Sequence, residues 1–104
     1  MQLYLDDERP TPEGWERVYT AHECIEKLKT RQVEVVSLAH DLGEGVPTGY
    51  DVMLWIEKAV FTDPTYTPPV MLFHTDNPAG KENMRRCRYA IINQLESREE
   101  TPPE

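Results

Sequence analysis

Cations are scarce in this chain: 11 Lys and Arg stand against 19 Asp and Glu among 104 residues, for a formal net charge of -8. Non-specific nucleic-acid binding works by neutralising phosphates, so this balance excludes a general affinity for DNA or RNA. A small phosphorylated ligand or an RNA end held by a few local cations is still allowed. So is docking on a basic protein partner, including as an acidic inhibitor or mimic of nucleic acid. Cysteine is limited to Cys24 and Cys87, with no C-x-x-C and no companion histidine at ligand spacing, and both fall on apolar helix faces as core thiols. No apolar run approaches the roughly 18 residues of a membrane span. Met1-Gln2 leads into a strand-like segment without a signal-peptide pattern, and the expectation is a cytoplasmic protein.

What is present suits one small domain, residues 1–96, followed by a polar tail, 97–104, expected to be disordered because R-E-E-T-P-P-E holds no apolar residue. Val33, Val35, Val36, Leu38 and Ala39 form a short apolar run typical of a strand covered on both faces. It stops at His40-Asp41, before a loop containing Gly43, Gly45, Pro47 and Gly49. A second run, Val70 to Phe73, stops the same way at His74-Thr75-Asp76-Asn77-Pro78. Gln2 to Leu5 is a third strand, ending in Asp6-Asp7-Glu8-Arg9, where three adjacent acids call for a divalent cation or an Arg or Lys. Arg17 to Thr20 reads as a short fourth.

Helical spacing fills the intervals. Thr20 and Glu23 make a capping box ahead of Ala21, Cys24, Ile25 and Leu28, a helix predicted to reach about Arg31. His22, in its first turn, reads as a surface residue. Thr48 and Asp51 cap a helix whose inner face is Val52, Trp55, Ile56, Ala59 and Val60, with the Trp in the core. A last helix opens at Ala79-Gly80 with Met84, Cys87, Ile91 and Leu95 inward and Lys81, Arg85 and Arg88 on a basic stripe.

Strands alternating with helices predict an α/β fold with parallel strands. The strand order 2-1-3-4 would set the ends of strands one, three and four side by side, where open sheets bind ligands. About ten residues separate the first two strands, too few for a helical crossover, so a bare loop should leave one sheet face thinly covered.

The acids Asp6-Asp7, the Asp41-Leu42 turn with Pro47 and Gly49-Tyr50-Asp51, and Thr75 together resemble the receiver domain of response regulators. They match its metal-binding acids, phospho-acceptor and switch hydroxyl. The receiver's first helix and its fifth strand, with its lysine, are missing. More closely, Leu3 to Pro10 (L-Y-L-D-D-E-R-P), His40-Asp41-Leu42, His74-Thr75, and Asn77-Pro78 with Gly80, Asn83 and Met84 are similar to the cyclic-phosphate processing receiver-like family. That resemblance implies a small three-layer flavodoxin- or receiver-like sheet and an activity on cyclic phosphates left by RNA cleavage.

The residues support such chemistry. His40 and His74 would act as an acid–base pair on a 2',3'-cyclic phosphate or related phosphodiester, with Asp41 orienting an imidazole. Asp6, Asp7 and Asp41 would hold Mg²⁺. Thr75, Asn77, Gly80 and the first turn of the last helix, with Lys81 or Arg85, would bind the phosphate. A non-catalytic module that binds a phosphorylated ligand or a protein is the competing expectation.

Overall fold

The computed structural model describes residues 1–100, with side chains through residue 98. Four short strands, β1 (Gln2–Leu5), β2 (Glu16–Val18), β3 (Val35–Leu38) and β4 (Val70–Phe73), form one all-parallel sheet in the order β2-β1-β3-β4. Three helices complete it: α1 (Ala21–Leu28), α2 (Gly49–Thr62) and α3 (Pro78–Glu100). The link between β1 and β2 carries no helix, as its length required. No described helix is long and apolar enough to cross a membrane.

Both helical crossovers, β2-α1-β3 and β3-α2-β4, step the same way across the sheet. Right-handedness therefore puts α1 and α2 on one face. Leu3, Leu5, Val36, Leu38 and Met71 point to that face and are buried against Met53, Ile56, Met84 and Ile91. The alternate residues point the other way, and no helix covers them. Tyr4 is shielded there by Trp15, edge-on at 6.3 Å, and by the Arg17 guanidinium, while Val70 and Leu72 of β4 stand 59% and 43% exposed. The sheet is thus two-layered rather than three-layered, and β4, expected to be fully buried, is buried on one face only.

Element ends differ from expectation for identifiable reasons. Helix α1 stops at Leu28, and Arg31 adopts φ 62, turning the chain out of the helix early. Trp55 is partly buried rather than central, and Met53 takes the core place beside Val52 and Ile56. Helix α3 continues through Glu100, past the Ser97 at which the tail was expected to begin. The cause is Arg98, which donates to the carbonyls of Val60, Asp63 and Tyr66 and fastens that turn to the end of α2. The rest of the expected tail, 101–104, lies outside the described residues.

The capping residues behave as their chemistry dictates. Thr48 Oγ1 accepts from the Tyr50 amide at 3.1 Å, and Asp51 Oδ2 accepts from the Thr48 amide at 2.7 Å, a complete box. At α1 the Thr20 hydroxyl accepts from Glu23 N, but Glu23 bonds the Thr20 side chain rather than its amide. Cys24 and Cys87 are both buried thiols, and burial pushes each up to about 12.

Candidate functional site

Parallel pairing in register sets Leu5, Leu38 and Phe73 side by side, so the three chain segments that follow emerge together at one edge. Ladder bonds extend a step further: Asp6 N donates to Val18 O, Ala39 N to Leu5 O, and His74 N to Leu38 O. Between these segments lies a hollow of about 250 Å³ whose wall includes Asp6, Asp7, Arg9, Asp41, Thr75 and Asn77.

Asp6 is 2% exposed and fully engaged. Its Oδ1 accepts from the Glu8 and Arg9 amides at 2.8 and 3.1 Å, and its Oδ2 from Arg9 Nη1 at 3.1 Å and His74 Nε2 at 3.0 Å. Burial alone would raise its pKa. The two amides, the guanidinium and the imidazole outweigh burial and hold the carboxyl at about 2. Arg9 also donates to the His74 carbonyl at 3.0 Å and to Asp76 Oδ2 at 2.8 Å. Of the two counter-charges that the acidic run called for, the chain supplies the guanidinium.

His74 sits on the open sheet face, stacked on Tyr4 with ring centres 4.3 Å apart and planes 6° off parallel. Because Asp6 is ionised and only accepts, Nε2 must carry the hydrogen. Nδ1 then accepts from the Ser37 hydroxyl at 2.7 Å. Burial lowers the His74 pKa, with Arg9 and Arg17 adding to it, against the pull of Asp6. The result is a neutral imidazole locked between a hydroxyl and a carboxylate. Ser37, absent from the sequence expectations, had one signal: it is the polar residue inside V-V-S-L-A, and a buried hydroxyl needs a partner.

His40 follows β3 at the parity of Val36 and Leu38, so it belongs to the helix-covered face, opposite His74. Its ring lies directly against Gly80: any Cβ there would overlap the imidazole. The first turn of α3 can approach only because residue 80 has no side chain. His40 Nδ1 is 3.0 Å from Asp41 Oδ1 and 3.4 Å from the Asn77 amide nitrogen. Its Nε2 has no hydrogen-bond partner among the described residues. The His40 contact, then Asn77, lower the Asp41 pKa.

Asn77 joins these parts. Its Oδ1 accepts from Gly80 N at 3.0 Å, capping α3 with Pro78 in the first helical position, while its Nδ2 reaches Asp41 Oδ2 at 3.2 Å. Thr75 Oγ1 accepts from the Asn77 amide at 3.1 Å.

Of the expected site residues, Asp6, Asp7, Asp41, Thr75 and Asn77 line the hollow. Neither catalytic histidine of that expectation is among the residues that line it: His40 bonds Asp41 and His74 bonds Asp6, and the two share no partner. Gly80 backs His40. Lys81 is exposed on the first turn of α3, and Arg85 pairs with Glu82 at 3.5 Å and lines a separate groove.

A magnesium ion on Asp6 does not fit this arrangement, since Arg9 and His74 occupy the oxygen it would need. No group of three His, Cys, Asp or Glu side chains among the described residues converges as a metal cage. Asp7 and Asp41 are different. Asp6 is buried whereas these two are partly or fully open to solvent; both face the hollow and both line the adjoining depression with Glu8 and Glu44, although Asp41 already meets His40 and Asn77. One or two carboxylates with waters and a substrate phosphate is the usual magnesium arrangement, and that pair fits it.

Searches of curated proteins and of solved structures return no match. A family model described as cyclic-phosphate processing receiver domain matches residues 1–90, which takes in the sheet, Asp6, Arg9, His40, His74 and the Asn77 cap, and the chain belongs to that family.

Proposed function

We propose that the hollow hydrolyses a 2',3'-cyclic phosphate or a closely related phosphodiester, with His40 as its general base. The observation that carries this reading is the His40–Asp41 pair beside the hollow: Asp41 holds Nδ1, and Nε2 is left without a partner. Water attacks phosphorus, its proton passes to His40 Nε2, and one ring P–O bond breaks. The leaving oxygen takes a proton from solvent at the open edge, giving a phosphomonoester beside a free hydroxyl. His74 is a positioning residue here, because a neutral imidazole tied at both nitrogens is not a standing proton donor. Through Asp6 it fixes Arg9, whose guanidinium is the cation nearest to an incoming phosphate.

Five carboxylates line the hollow against this one arginine, so a bare anion is repelled unless a cation accompanies it. Mg²⁺ arriving with the phosphate on Asp7 and Asp41 would neutralise the phosphate oxygens. A 2',3'-cyclic nucleotide incubated with protein and Mg²⁺, with product analysis, tests the reading. Turnover that falls roughly 10²–10⁴-fold in His40→Ala supports it. Undiminished turnover in that variant overturns it.

One observation favours a second reading, a module that binds a phosphorylated ligand or a protein partner without turnover: Asp6 and His74 already satisfy each other. Saturable binding with no product would select it.

A further inference from the structure

A second cavity lies at the other end of the sheet. Crossover helices run against their strands, so the ends of α1 and α2 lie beside the strand beginnings, away from Asp6 and Asp41. Between those helix ends is a pocket of about 370 Å³, within the roughly 300–1,000 Å³ usual for small-molecule sites.

Its wall reverses the charge of the molecule. Lys29, Arg31 and Lys58 line it with one acid, Asp63, in a chain where acids outnumber bases. That acid is already matched: Arg31 Nη2 donates to Asp63 Oδ2 at 2.6 Å. Arg31, whose φ of 62 belongs to the turn that ends α1, also sets its guanidinium 5.6 Å from the Tyr66 ring centre. Lys29 pairs at 3.1 Å with Glu26, which is not part of the pocket wall, and Lys58 has no acidic partner among the described residues. Nor are the cations needed to cap α2, whose last carbonyls already accept from Arg98. The remaining wall is aromatic. Tyr66 is buried and meets Trp55 edge-on at 5.8 Å, and Trp55 keeps part of its indole exposed in the pocket although its helical position predicted core.

We propose that this pocket binds a nucleotide, its aromatic base against Trp55 and its phosphate between Lys29 and Lys58. An exposed indole gives any base a stacking platform, and two ammonium groups beside it give the phosphate point charges. The site is separate from the hollow and does not depend on chemistry there.

The test follows Trp55 fluorescence in a Trp15→Phe protein titrated with adenosine 5'-monophosphate, with adenosine and inorganic phosphate as half-ligands. The expected result is saturable quenching, tighter for the nucleotide than for either half. It should weaken about tenfold in Lys58→Glu and stay unchanged in His40→Ala. If Trp15→Phe does not fold, the Trp55 indole N–H resonance of the wild-type protein reads the same binding. A 3'-phosphorylated dinucleotide that binds more tightly than the mononucleotide assigns the pocket to an RNA end, and the reverse order assigns it to a free nucleotide. No saturable signal into the millimolar range, or binding that Lys58→Glu leaves unaltered, overturns the proposal.

Discussion

At the scale of single residues, the buried Asp6–His74 contact sets how the protein responds to acid. Both pKa values are lower in the fold than their ordinary values of 3.8 and 6.5. The unfolded chain therefore binds more protons over each interval, and the stability these groups contribute is present above the ordinary values and lost below them. Urea unfolding should show a first decline as pH falls below 6.5. A steeper decline should follow between 3.8 and about 2 as Asp6 and the Arg31-paired Asp63 protonate, the buried Asp6 alone being worth about 2 kcal/mol for a shift of this size. His74→Gln should remove the first decline and leave most of the second. Gly80→Ala tests the close approach to His40. The added methyl has to displace the imidazole or the helix turn, so stability should fall by about 1–3 kcal/mol, with any turnover falling too. An alanine accepted without loss would show that the ring moves freely.

Elements are where composition and spacing were most informative, and also where they stopped. The strand order followed from analogy with the flavodoxin-like arrangement, whereas the strands, the Thr20 and Thr48 N-caps and the core stripe of α3 could be read from Leu3, Val36, Thr48 and Met84, because apolar period and capping chemistry are local. The Ser37–His74–Asp6 chain could not, since its members are separated by the whole of α2 and more, and only the register of β1, β3 and β4 brings them together. For the same reason the two histidines looked equivalent in the sequence. Each ends an apolar strand, but His40 shares parity with Val36 and Leu38 while His74 bonds Ser37, and that places the rings on opposite faces. Arg98 reads as tail in the sequence because its neighbours are polar. The spacing Ile91, Leu95, Arg98 continues the inner stripe, and its donors reach three carbonyls. Arg98→Ala should therefore cost about 1–3 kcal/mol by leaving them without their donor, seen as a lower denaturation midpoint. Asn77→Ala should cost about 0.5–2 kcal/mol as a lost cap, and should also release Asp41, which Arg98→Ala should not.

For the molecule as a whole, the sheet has one helix-covered face and one covered only by side chains over β1 and β3 and left bare at β4. Leu72→Asp on the bare face should change stability by no more than about 0.5 kcal/mol. Met71→Ala, the next residue, faces the helices and should cost about 2–5 kcal/mol. Equal costs in chemical denaturation would contradict the two-layer arrangement.

The outer margin of β4 bears a related consequence. Val70 N and His74 N bond β3, so the Met71 and Phe73 amides point away from the sheet. Arg88 donates to the Met71 carbonyl at 2.9 Å and lies over the Phe73 ring at 4.6 Å. One side chain thus stands where a fifth ribbon would attach, and truncating it would uncover an unpaired margin open to pairing with a foreign strand.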